Sequence, residues 1–190
     1  MCKIPAKESL SVEFKSDKKC LSNSVLLDAV VGLANTDGGT LYLGVEDDGE
    51  ITGLHRSHMD VLPVMAFVAN NTVPSVSVRT EIVRVDGIPV LRIDVPKSRS
   101  IVATGSGKIL RRRLKADGSP ENVPLYPFEI PIRLSELGAF DFSAQIIPNA
   151  DFADLSSARI LQLRHIIAED RLRAVGQKRG RKYVLSTRSY

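Results

Sequence analysis

Three stretches of the 190-residue chain carry side chains able to do chemistry. Glu8-Ser9 and Glu13-Phe14-Lys15 bring two carboxylates and an ammonium close together in sequence, and Glu46-Asp47-Asp48-Gly49 adds a second acidic cluster. Leu10, Val12 and Phe14 alternate with Ser11, Glu13 and Lys15, so a strand here buries the first set and displays Glu13 and Lys15 on one side. Glu8 precedes that strand, where the chain can still curl back toward Glu13. Each acid also has an ordinary reading, because Asp-Asp-Gly is a common solvated turn and Glu-Phe-Lys suits the polar face of an edge strand. The third stretch is cationic: Thr104-Gly105-Ser106-Gly107-Lys108 runs into Arg111-Arg112-Arg113. A nucleotide-binding Walker loop needs GxxxxGK[ST] between a strand and a helix. Here Ile109 follows the lysine, no Ser or Thr is in place for Mg²⁺, and a strand is expected next. A hairpin turn presenting a basic strand fits better, with Arg111 and Arg113 on one face and Arg112 on the other. Guanidinium forks match phosphate oxygens, and each neutralised phosphate gives salt-sensitive affinity. A charged edge that blocks aggregation is the alternative. Lys108, Arg111, Arg113 and Lys115 are the nucleic-acid contact candidates.

The elements that must position these groups are legible around Leu33–Gly49. From Ser24 to Ala34, Val25, Leu26, Ala29, Val30 and Leu33 follow helical spacing, with Ser22 or Ser24 as N-cap. Asn35 and Gly38-Gly39 stop that helix, since they tolerate the positive φ of tight turns. Thr40 to Val45 alternates as a strand and delivers Glu46-Asp47-Asp48 to its end, with Ile51 to Leu54 returning as a hairpin partner. A second helix is expected from near Val61, with Pro63 in its first turn and Ser57 as cap. His55 and His58 read as surface residues flanking a turn. Val76–Val85 and Ile88–Val95, joined by Asp86-Gly87, form the clearest hairpin, which is scaffold. A short helix over Ile132–Leu137 ends at Gly138. Further on, Phe140–Pro148 is expected to be extended. Leu155, Ile160, Leu163, Ile166 and Ile167 suggest an amphipathic helix, followed by a basic tail.

Composition bounds the rest. The length suits one domain plus an appendage, and 43% hydrophobic content supports a core. A net charge of +4 permits an anionic partner without demanding one. The N-terminal residues lack a signal-peptide pattern and no run is long enough for a membrane span, so a cytoplasmic protein is expected. Cys2 and Cys20 form no CxxC pattern and no Cys/His zinc site is evident. Aromatics make up only 5%, which disfavours extensive base stacking.

Glu8-Ser9 with Glu13-Phe14-Lys15, followed by the run from Leu33-Ala34-Asn35-Thr36-Asp37-Gly38-Gly39 through Val45-Glu46-Asp47-Asp48-Gly49 to Gly53, resembles the Schlafen-type AlbA domain. That family is found at the N-terminus of bacterial transcriptional regulators and was once described as divergent ATPases. The resemblance implies an α/β fold with a mixed, largely antiparallel sheet and two or three helices. It places the domain at residues 1–134, with residues 135–190 as a C-terminal extension carrying the amphipathic helix and basic tail. In RNase-active relatives it also implies a three-carboxylate site that cleaves RNA with Mg²⁺ or Mn²⁺. By motif position those catalytic and metal-binding acids fall on Glu8, Glu13 and Asp47, with Lys15 as a cation for the scissile phosphate. Glu46 stands where relatives often carry Asp, which leaves open which acid of the cluster would bind a metal.

Three functions are thereby expected in order: a nucleic-acid-binding module of a transcriptional regulator, a divalent-metal-dependent endoribonuclease, and an ATP-binding module. The partner is DNA or structured RNA rather than a membrane, with a homodimer among the options.

Overall fold

The computed structural model describes residues 4–139, 161, 165, 172–175 and 182–185. The chain divides into two compact units, Met1–Phe142 and Ser143–Tyr190.

The first unit is built on a four-stranded sheet in the order β1-β2-β5-β4. Strand β1 (Val12–Lys15) runs parallel to β2 (Gly39–Leu43), and the other neighbours, β5 (Ile88–Val95) and β4 (Arg79–Val85), pair antiparallel. A parallel neighbour needs a crossover, and helix α1 (Asn23–Ala34) supplies it. Ser22 caps α1 by accepting the Val25 N–H, so the earlier of the two sequence candidates is the cap. The helix ends where Gly38, at φ 73°, donates its N–H to the Leu33 carbonyl.

Both faces of the sheet are covered, which is why Leu41, Tyr42 and Leu43 are all buried. Leu41, Leu43, Leu91 and Ile93 join Leu26, Val30 and Leu33 of α1 in one core. On the opposite face Phe14, Tyr42, Val45, Val83 and Val90 form a second, with Phe14 and Tyr42 edge to face at 6.0 Å. In the parallel register Glu13 lies beside Leu41 and Lys15 beside Leu43. Glu13 therefore points into the α1 side of the sheet, not to solvent as the alternation alone suggested.

Helix α2 (Val61–Asn70) holds Pro63 in its first turn as expected, but its cap is Asp60, which accepts the Leu62 N–H at 3.1 Å. Short strands β3 (Thr72–Val73) and β6 (Ala103–Thr104) pair antiparallel. The β4–β5 hairpin turns at Asp86-Gly87, both at positive φ. Its first arm begins at Arg79, whereas a start at Val76 was expected; Val76 and Val78 still enter the α1 core. Instead of a full hairpin with β2, the Ile51 return makes a single bridge to Val45.

Strands β7 (Leu110–Leu114) and β8 (Pro120–Pro124) form a separate antiparallel ribbon that lies against α1. The contact is close: a Cβ on Gly32 would stand 2.2 Å from Asn122 Oδ1. Sheet below and ribbon above explain why Ala29 through Ala34 are all buried. Helix α3 (Glu129–Glu136) follows, and Gly138 at φ 69° lies just beyond its end. In the second unit β9 (Leu172–Val175) and β10 (Lys182–Leu185) pair antiparallel. The expected extended Phe140–Pro148 lies outside the described residues, and so does the amphipathic helix except for helical Leu161 and His165. Among the described residues no helix is long and apolar enough to cross a membrane.

Candidate functional site

The N-terminal acids meet at the start of β1. A tight turn, with Ser9 N–H donating to the Val12 carbonyl at 3.0 Å, folds the chain back so that Glu8 Oε1 accepts the Phe14 N–H at 2.8 Å. Burial pushes the Glu8 carboxyl up from its ordinary value, against the lowering by the Phe14 N–H, and the Glu13 charge raises it further. Glu13 commits both oxygens. Oε1 lies 2.5 Å from Lys15 Nζ, and Oε2 accepts from Arg112 Nη1 on β7. Lys15 also donates to the Phe14 carbonyl at 2.9 Å. The Arg112 side chain has no exposed surface, and its Nη2 donates to the carbonyls of Ser9 (2.7 Å) and Val12 (3.2 Å). Its Nε is buried without a partner. Two carboxylates thus face two cations in a closed network.

Asp47 stands apart from this network. It is exposed on the turn, and among the described residues it is not grouped with Glu8 and Glu13 in a cluster placed to hold a metal ion. That turn is fixed by Gly49 N–H to the Glu46 carbonyl and Glu50 N–H to Asp48 Oδ1, at 2.8 and 2.9 Å. Its Gly49 packs against the N-terminal segment, where an added Cβ would come 3.3 Å from the Ala6 carbonyl. Glu46 faces elsewhere: it accepts from Thr52 Oγ1 at 2.6 Å, which holds its pKa below the ordinary value, with Ser16 and Lys18 adding to the shift. Among the described residues no group of three His, Cys, Asp or Glu side chains is placed to hold a metal ion. With Glu13 saturated by cations and Asp47 separate, this donor set does not fit a divalent ion as it stands.

The Asn35–Gly39 run that marks the site in sequence is a set of fastenings. Asn35 Nδ2 donates to the carbonyls of Val102 (2.7 Å) and Leu110 (2.8 Å), and its Oδ1 accepts the Val102 N–H at 2.8 Å. Thr36 Oγ1 donates to the Gly32 carbonyl and accepts the Arg112 N–H at 2.9 Å, which sets the height of β7 against α1. The Lys97 ammonium beside Asp37, 2.7 Å away, holds that carboxyl below its ordinary value. Gly39, at φ 149°, leaves no room for a Cβ, which would stand 2.2 Å from the Ser11 carbonyl oxygen, so glycine is required where the chain enters β2 beside β1.

Beside these fastenings a cleft of about 380 Å³ is lined by Asn35, Thr36, Arg111, Arg112, Glu129 and Arg133, among others. Arg111 pairs with Glu129, and Arg133 donates to the Thr36 carbonyl at 2.9 Å. The Tyr126 N–H and then the Arg111 guanidinium hold the Glu129 carboxyl below its ordinary value.

The ribbon keeps the expected alternation, with Arg111 and Arg113 on the face opposite Arg112. Three of the cations are in close ion pairs: Lys108 with Asp28 at 2.9 Å, Arg111 with Glu129, Arg113 with Glu121 at 2.8 Å. Lys115 is exposed and in no close ion pair among the described residues, although, after the hydrogen bonds from Ser119, its charge helps to lower the pKa of the nearby Asp117 carboxyl. The Gly-rich turn uses its amides internally: Thr104 N–H donates to the Lys108 carbonyl, Gly105 to Asn71 and Gly107 to Thr104. A strand rather than a helix follows it, so it lacks the strand–loop–helix arrangement of a Walker loop.

Sequence reasoning missed two residues here. Arg112 was assigned only to the other face of its strand; its position between Arg111 and Arg113 gave the direction but not its depth. His58, read as a surface residue, is buried, with Nδ1 2.9 Å from both oxygens of Asp17. Asp17 itself is fully buried and also accepts the N–H groups of Leu21 and His55, both at 2.8 Å.

A mixed sheet crossed by α1 and overlaid by a cationic ribbon defines an α/β domain with a buried ion-pair centre. The chain matches the Schlafen, AlbA_2 family model over residues 8–118 and belongs to that family. Comparison with the curated proteins gives no match. Among solved structures, the chain resembles the crystal structure of the DIP2311 protein of Corynebacterium diphtheriae. The identity is 23% and the TM-score 0.54, over 84% of this chain and 35% of that one. It also resembles the solution structure of the N-terminal domain of a protein from Nitrosomonas europaea described as ATP-dependent DNA helicase RecG-related. There the identity is 26% and the TM-score 0.36, over 48% of this chain and 65% of that one. This chain thus spans about a third of the first relative and under two thirds of the second.

Proposed function

We propose that this Schlafen AlbA_2 domain binds nucleic acid through the phosphate backbone, as a module of a transcriptional regulator. The reading is supported above all by the β7–β8 ribbon, whose outer side carries Arg111, Arg113 and Lys115 while Arg112 locks its inner side to β1. Exposed ion pairs such as Arg113–Glu121 contribute at most about 1 kcal/mol, so a phosphate can take the guanidinium from its acid at little cost.

Fluorescence anisotropy with a labelled duplex and a structured RNA, from 50 to 200 mM salt, tests this. Affinity should fall steeply with salt, and replacing Lys108, Arg113 and Lys115 with Gln should lower the log–log slope by about 0.9 per lost duplex contact. A slope unchanged by the triple substitution removes the ribbon from the interface. Hydrolysis through a carboxylate-bound metal is not favoured by the Glu13 geometry. Incubating structured RNA with Mn²⁺ checks that directly, since cleavage abolished by Glu13→Gln would replace binding with turnover. The internally bonded Gly-rich turn likewise gives no support to ATP binding.

A further inference from the structure

Three oxygens converge on one guanidinium at the head of β1. Glu13 Oε2 accepts from Arg112 Nη1, and the carbonyls of Ser9 and Val12 accept from Nη2. Two main-chain carbonyls and a carboxylate oxygen make a donor set of the kind hard divalent cations take. Glu8 lies alongside, close enough for its charge and that of Glu13 to interact, and only its Oε1 carries a hydrogen bond. The centre of this cage is filled by the chain's own cation. Arg112 is held there from outside the cage as well, since its main-chain N–H is bonded to Thr36 and its strand is tied to Asn35 through Leu110.

We propose that Arg112 is a resident counter-ion that occupies the place of a divalent cation at Glu13, so that the intact domain is closed to Mg²⁺ and Mn²⁺ and removing the guanidinium opens a metal site. A divalent ion and a guanidinium cannot share these oxygens, because both need the same lone pairs and repel each other in a desolvated space. Displacing Arg112 means breaking its bonds to Glu13, Ser9 and Val12 together while its main chain stays anchored. Lys15 completes the balance by meeting the second oxygen of Glu13. This holds whether or not the ribbon binds nucleic acid.

The test titrates Mn²⁺ by calorimetry into the wild-type chain, Arg112→Ala, Arg112→Gln and each of these combined with Glu13→Gln, with folding checked by circular dichroism. The wild type should show no saturable binding below about 1 mM, the weak end of oxygen-ligated sites. At least one arginine variant should bind about ten-fold or more tighter than that limit, and Glu13→Gln should abolish the gain. Absence of a gain in every arginine variant that folds overturns the proposal, and so does a gain that survives loss of the Glu13 carboxylate. If neither arginine variant folds, the wild type decides. Saturable binding below about 1 mM that Glu13→Gln abolishes shows the site already open and overturns the proposal, and its absence supports closure.

Discussion

Arg112 and Glu13 are 99 positions apart in sequence and form a buried ion pair that fastens the β7–β8 ribbon to the first strand of the sheet. Removing one partner of such a pair leaves the other charge uncompensated and costs about 3–5 kcal/mol. Arg112→Met is therefore expected to lower the urea midpoint strongly. Replacing both residues by apolar ones of similar volume should recover much of that loss. A single substitution costing under about 1 kcal/mol would mean that water reaches the pair and screens it.

Glu8 gives the acidic site a pH signature of opposite sign to an ordinary salt-bridged acid. Its folded-state pKa is raised from the usual 4.5, chiefly by burial. The folded state thus holds this proton more tightly than the unfolded one, and stability falls as pH rises from about 4.5 through the folded value. Glu8→Gln keeps an acceptor for the Phe14 N–H and removes the titration. The variant should match the wild type in acid and exceed it progressively toward neutral pH, as urea midpoints across that range will show. A difference that is flat with pH would assign the effect to packing instead.

What the sequence made legible was set by local periodicity. The α1 stripe, the β4–β5 turn at Asp86-Gly87 and Pro63 in the first turn of α2 each depend on neighbours within a few residues. The meeting of Glu8 with Glu13 was also within reach, because a short turn suffices to fold one onto the other. The depth of Glu13 and Arg112 was not. It comes from β1 running parallel to β2, where Glu13 meets Leu41, and from the ribbon crossing α1, which brings Arg112 to Glu13 across 99 positions. The burial of Asp17 and His58 escaped for the same reason, since their 41-residue separation leaves no periodic trace.

Asn35 should behave as a structural residue despite standing in the most recognisable motif of the chain. Its side chain is buried and makes three hydrogen bonds to the main chain at Val102 and Leu110. Asn35→Ala orphans the Val102 N–H and two carbonyls, and each buried unpaired group costs about 1–3 kcal/mol. The expected loss is roughly 3 kcal/mol or more, together with faster amide exchange at Val102. A variant that keeps wild-type stability but loses nucleic-acid affinity would move Asn35 from the scaffold to the interface.

The Asp17–His58 pair yields an asymmetric prediction. His58→Ala removes one partner of the carboxylate, whereas Asp17→Ala removes the acceptor for His58 and for the Leu21 and His55 amides. With two main-chain N–H groups left unpaired, Asp17→Ala should be more destabilising than His58→Ala by about 1–3 kcal/mol. A double-mutant cycle should give a coupling of about 0.5–3 kcal/mol, because the two side chains touch directly. Equal losses from the two single substitutions would show that the turn after β1 satisfies its amides without Asp17. The carboxylate would then serve only to hold the imidazole.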